Sequence, residues 1–180
     1  MKSLRAIITL TALSGAVLLA NGLWIPAKAA LAYGLLDRAF SHAEASAAPE
    51  KPWSWADFGV IGKLTVGGSQ IHVLDRATDQ AMAFGAGRHE EYEPDGPLVL
   101  SGHRDTHFAV LEGVKRGDEI AYQTAAGDIA YRISETRIYD IREGVIQPPR
   151  AGEIMLITCW PFGSIDPRTT KRFLVLAQKL

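Results

Sequence analysis

The stretch Ile154-Met155-Leu156-Ile157-Thr158-Cys159-Trp160-Pro161-Phe162-Gly163 joins an apolar, β-branched run to an abrupt stop, with a proline and a glycine directly after Cys159-Trp160. A run this short and this rich in strand formers predicts a buried strand over residues 154–158 with Cys159 at its end. Two other runs end in polar chemistry. Upstream, Pro97-Leu98-Val99-Leu100 leads into Ser101-Gly102-His103-Arg104-Asp105-Thr106-His107-Phe108, and downstream Arg172 opens Phe173-Leu174-Val175-Leu176-Ala177. A thiol, an imidazole and a guanidinium therefore each stand at a predicted strand terminus, where a rigid sheet holds side chains at an open edge.

Outward from these runs the signals are again strands. Residues 59–66 and 70–74 flank Gly67-Gly68, a hairpin pattern. Residues 81–84 and 98–100 read as two more short strands. Residues 119–123 and 129–138 flank the turn Ala125-Ala126-Gly127-Asp128, with Tyr131 and Ile133 alternating with Arg132 and Ser134. Seven or eight short strands with Gly and Pro punctuation and little helical periodicity predict an all-β, closed barrel. Residues 106–114 predict one or two helical turns with Phe108 and Leu111 inward. Residues 139–152, with Pro148-Pro149, and residues 160–171 are the expected walls of a substrate groove, because they flank the strands carrying Cys159 and Arg172.

Cys159 is the only cysteine in the chain, so no intramolecular disulfide is open to it. It reads either as a small buried hydrophobe or as a nucleophile, and a nucleophilic thiol needs a proton acceptor or a positive neighbour. His103 supplies a proton acceptor and donor, and Arg172 a forked donor for a carbonyl oxygen as charge builds on it. Their bland readings are a histidine at a strand end and a surface ion pair. Asp105 is placed to pair with Arg104 or to orient a neighbour. Thr158 is expected to shape the groove and Trp160 to pack under substrate, both as substrate-binding residues. His103, His107 and Asp105 are too few to complete a metal shell, and His42, His72 and His89 stand apart, so neither metal nor cofactor is expected.

The chain has 180 residues, 47% hydrophobic and 22% charged, which fits one globular domain plus an N-terminal targeting segment. A formal net charge of −1 gives no electrostatic reason to expect nucleic acid as a partner, which needs a basic surface. Lys2 and Arg5 precede Ala6 to Ala27, a stretch of 22 residues without a charged side chain. At about 1.5 Å per residue such a helix crosses a hydrocarbon core of roughly 30 Å, with the flanking positives keeping the N-terminus cytoplasmic. The competing reading is a signal peptide cut after Ala27-Lys28-Ala29. The expected division is a tip and membrane anchor over 1–27, a juxtamembrane helix and a Pro-containing linker over 28–52, and a catalytic domain over 53–180.

The motifs resemble those of sortases, membrane-anchored cysteine transpeptidases. Leu156-Ile157-Thr158-Cys159 matches the family's cysteine motif, with Met155 where a threonine is usual; Gly102-His103 matches its histidine, and Arg172, thirteen residues past Cys159, its arginine. Gly-His-Arg-Asp-Thr-His-Phe over 102–108 and Thr-Cys-Trp-Pro-Phe over 158–162, with Trp24 and Lys28-Ala29, resemble the proteobacterial class GN sortases. The resemblance implies a sortase barrel with Cys159, His103 and Arg172 as catalytic residues. It also implies a single-pass inner-membrane protein with a periplasmic catalytic domain. Its partners would be an exported protein with a C-terminal sorting signal and an amine acceptor of unknown identity. Two alternatives remain: a cysteine protease that releases product to water, and a non-catalytic periplasmic peptide-binding barrel. Chain order disfavours papain-like hydrolases, in which the cysteine precedes the histidine, and the residues before Cys159 differ from the Ser-His-Gly-Cys of cysteine L,D-transpeptidases.

Overall fold

The computed structural model describes residues 2–91, 96–166 and 168–180, in two compact units, 1–35 and 36–180. The first unit is the greater part of α1 (Lys2–Ser46), a helix long and apolar enough to cross a membrane, with Leu10, Leu13, Leu18, Leu19 and Ile25 exposed. Where the sequence suggests a span and then a separate juxtamembrane helix, one helix runs through both, with Pro26 inside it.

The second unit is a closed eight-stranded barrel: β1 (Val60–Val66), β2 (Ser69–Leu74), β3 (Ala86–Arg88), β4 (Leu98–Ser101), β5 (Glu119–Thr124), β6 (Gly127–Asp140), β7 (Glu153–Cys159) and β8 (Lys171–Lys179). Around the barrel the order is β1-β2-β3-β4-β7-β8-β6-β5. Gly67 and Gly68 join β1 to β2 with φ of 54° and 79°, the positive values a two-residue hairpin turn requires.

One of the expected strands fails. Residues 81–84 are not a strand, because the Thr78 hydroxyl accepts a hydrogen bond from the Ala81 N–H at 3.1 Å and caps a short helix, α2 (Asp79–Met82). The strand falls later, at β3, which pairs parallel with β2 and antiparallel with β4. The expected helical segment is a 3₁₀ turn over Ala109–Gly113 that buries Phe108 and Leu111 fully, as its apolar spacing requires.

Leu64, Val73, Leu100, Ile120, Leu156 and Val175 fill the barrel interior. The end of α1 supplies a second cluster: Leu36, Ala39 and Phe40 bury against Phe58, Val60 and Leu74. The compact unit therefore takes in residues upstream of Trp53, and part of the 44–52 segment is stitched to β1 by the Val60 N–H donating to the Glu50 carbonyl at 2.8 Å.

His72, 8% exposed, lies 3.0 Å from Asp37 on the helix end, and its pKa is lowered from the ordinary 6.5, first by burial and also by the charge of Lys63, against the opposing pull of the Asp37 carboxylate. Half-buried His107 is lowered too, first by burial and then by the charge of His103. Both bind a proton less readily in the fold than in the unfolded chain, so on acidification the unfolded chain takes up protons first. Stability is expected to fall as pH drops through 6.5 toward the folded values. Denaturant midpoints at about pH 7.5 and about pH 5.5 check this, and a midpoint that holds or rises on acidification contradicts it.

Candidate active site

The register sets Cys159 opposite Arg172, and the chain leaving β4 brings His103 to the same pocket as Cys159. β4 and β7 run parallel with Val99 opposite Met155 and Ser101 opposite Ile157; β7 and β8 run antiparallel with Ile157 opposite Leu174 and Cys159 opposite Arg172. Side chains alternate across a sheet, so one face carries Met155, Ile157 and Cys159 from β7, with Val99 and Ser101 beside them on β4 and Leu174 and Arg172 on β8. Val99, Met155 and Leu174 form a small buried cluster on this face, covered by Tyr139 and Ile146. The opposite face of β7 points Ile154 and Leu156 into the barrel.

The strand ends then open. His103 is exposed and Cys159 half-exposed, and both line a pocket of about 590 Å³ whose far wall is the loop at 163–165 and Thr169. Arg172 faces Cys159 from the neighbouring strand. The Trp160 N–H donates to the Lys171 carbonyl at 3.0 Å, which makes Cys159 and Arg172 a non-hydrogen-bonded pair, the geometry that brings facing side chains closest. The Arg172 Nη1 donates to the carbonyls of Thr169 and Lys171 at 2.9 and 3.0 Å, which fixes the guanidinium against its own loop.

Thr158 and Trp160 are placed behind the pocket. Thr158 is 2% exposed and its hydroxyl donates to the Gly102 carbonyl at 2.8 Å, tying the residue before Cys159 to the residue before His103. A Cβ on Gly102 would come within 2.9 Å of the Phe108 ring, which explains the glycine in front of the histidine. Trp160 stacks on Phe173 at 5.8 Å and meets Phe162 edge-on at 5.6 Å, a packing that anchors the start of the loop. Thr158→Val keeps the shape and removes the bond. It is expected to cost about 1–3 kcal/mol for the unpaired carbonyl, seen as a lower melting temperature, together with a loss of turnover. Unchanged turnover would mean that the bond does not position the His103 segment.

A second hollow, of about 310 Å³, continues along the same face over Val99, Met155 and Ile157. Its wall comes from Val145, Ile146 and Pro148, within the 139–152 loop that the sequence marks as a groove wall. Of the other expected wall, residues 160–171, Pro167 lies outside the described residues. His89 does not stand alone: its Nε2 is 2.7 Å from the Ser101 hydroxyl and its Nδ1 3.1 Å from Glu91, at the rim of this hollow. Arg104 pairs with Asp105 at 3.3 Å as anticipated, but its burial, 6% exposed, has no signal in the sequence.

Comparison with known proteins agrees with this architecture. The model of the sortase domain family matches residues 64–180. Sortase D of Bacillus subtilis (strain 168) is 32% identical over 117 residues, 62% of this chain and 59% of that protein, so the chain spans less than two thirds of that relative's length. Among solved structures, sortase A of Listeria monocytogenes is similar with a TM-score of 0.57 at 26% identity, over 67% of this chain and 87% of that one. Sortase C1 of Streptococcus agalactiae shares the fold with a TM-score of 0.59 at 21% identity, over 84% of this chain and 87% of that one.

Proposed function

The chain belongs to the sortase family, and from that premise we propose that it is a cysteine transpeptidase of the Gram-negative class GN kind. In this reading Cys159 Sγ attacks the scissile carbonyl of a C-terminal sorting signal, after threonine as is usual in the family. The bond to the departing amine breaks and His103 protonates that amine. The thioester is then attacked by an amine acceptor, which forms a new amide and returns the thiol. Arg172 steadies the carbonyl oxygen while charge builds on it, with Nη1 held by Thr169 and Lys171 and the rest of the fork directed to substrate. The apolar hollow over Val99, Met155 and Ile157 receives the signal, while Thr158, bonded to Gly102, and Trp160, packed on Phe173, shape the groove from behind the strand ends.

The observation that carries this reading is the convergence of Cys159 and His103 on one pocket with Arg172 as the strand partner of Cys159. Residues 1–27 are assigned as tip and membrane anchor, 28–52 as the juxtamembrane segment and 53–180 as the part that carries the chemistry. The span is placed in the inner membrane with the barrel in the periplasm. A cleaved span would leave a mature N-terminus near Ala30 instead.

The test is product analysis. The full chain in detergent is given a fluorescent peptide with threonine before the scissile bond and an excess of a primary amine. Ligated peptide is the expected product. Hydrolysed peptide alone would assign a protease, and neither product across a library of signals would assign a binding module. Arg172→Lys is expected to lower kcat/KM on the order of 10²–10³-fold, because an ammonium does not replace a fork. Wild-type kcat/KM in that variant would show that charge alone is needed.

A further inference from the structure

Arg104 follows His103 and is 6% exposed, and it lines the pocket that His103 and Cys159 share. Its Nη2 donates to the carbonyls of Ser164 and Asp166, the latter at 3.0 Å, and its Nε reaches Asp105 Oδ2 at 3.3 Å. Nη1 is buried with no hydrogen-bond partner among the described residues. A buried guanidinium with an unpaired donor is a poor source of stability, because desolvation offsets most of what its bonds return. What it supplies here is position.

Both ends of the 160–171 loop are held locally. Thr169 Oγ1 donates to the Trp160 carbonyl, Arg172 Nη1 to the Thr169 carbonyl, and Trp160 packs on Phe173. The middle is different: among the described residues, the hydrogen bonds that reach Ser164 and Asp166 from outside the loop both come from Arg104. In that middle, Gly163, Ser164 and Ile165 line the pocket that Cys159 also lines.

We propose that Arg104 is a positioning residue that latches the 163–166 wall to the His103 segment, closing the pocket around the thioester so that an amine rather than water resolves it. The functional half rests on the transpeptidase reading; the latch itself does not. A loosened wall admits water, which takes the acyl group as a carboxylic acid and returns the thiol, in place of the amide.

The experiment uses the full chain in detergent with Arg104→Ala and Arg104→Lys. Limited trypsin digestion, read by mass, reports cleavage after Arg168 and needs no activity. The ratio of ligated to hydrolysed peptide reports the pocket. Cleavage after Arg168 is expected to accelerate about tenfold in both variants, since alanine removes the donor and a lysine ammonium ends one bond short of the Nη2 that reaches both carbonyls. The transfer-to-hydrolysis ratio is expected to drop by about the same factor, and low guanidinium should restore both readings in Arg104→Ala but not in Arg104→Lys. Unchanged cleavage after Arg168 overturns the latch, and a faster-cut loop with an unchanged ratio overturns its role in partitioning. If Arg104→Ala does not fold, by circular dichroism, Arg104→Lys decides on the same two readings. A wild-type chain that forms no thioester sinks the transpeptidase reading, while the digestion still decides the latch.

Discussion

Replacing Cys159 with alanine is expected to abolish both peptide cleavage and ligation, a loss on the order of 10⁵–10⁶-fold in kcat, because a nucleophile has no substitute within a site built around it. The fold should be untouched. Cys159 is half-exposed at the end of β7, and Ala preserves its Cβ, so the change in stability is expected to stay within about 0.5–1 kcal/mol. Rates are read from peptide turnover by chromatography and stability from thermal melts. Turnover in Cys159→Ala above the uncatalysed rate would move the nucleophile elsewhere in the chain, and among the described residues Ser101, bonded to His89, would be the first place to look.

His103→Ala is expected to lower kcat/KM by roughly 10²–10⁴-fold, the range of a positioned general acid–base group. The side chain is exposed, so the fold should again persist. The role makes a sharper claim than the magnitude does. An amine leaves only with a proton, whereas an ester releases an alkoxide far less dependent on one. The loss in His103→Ala should therefore shrink several-fold on an ester version of the same peptide. Equal losses on amide and ester would assign His103 to activation of the Cys159 thiol rather than to leaving-group protonation.

The barrel was legible because its strands advertise themselves. The β1–β2 hairpin is written in Gly67-Gly68, β7 in an unbroken apolar run, and β6 in alternation that the structure converts into a half-buried strand. Residues 81–84 misled because a short apolar run does not by itself tell strand from helix; Ala81 and Met82 are good helix formers, and Thr78, outside the run, caps the helix. The proximity of Cys159, His103 and Arg172 was legible only as three strand ends. Their convergence depends on β4 pairing parallel to β7, a crossover that no local pattern encodes. Arg104 was illegible for a different reason: arginine is ordinarily exposed, and its carbonyl partners lie some sixty residues away on a loop without periodicity.

The most direct test of the central claim is the intact mass of the full chain after rapid quench with a sorting-signal peptide and no added amine. A thioester in a site that favours amines over water should accumulate, adding the mass of the peptide's N-terminal fragment to Cys159, and hydroxylamine should release that fragment as a hydroxamate. A chain that cleaves the same peptide at full rate, with no adduct on Cys159 at any quench time and no hydroxamate, would contradict the account.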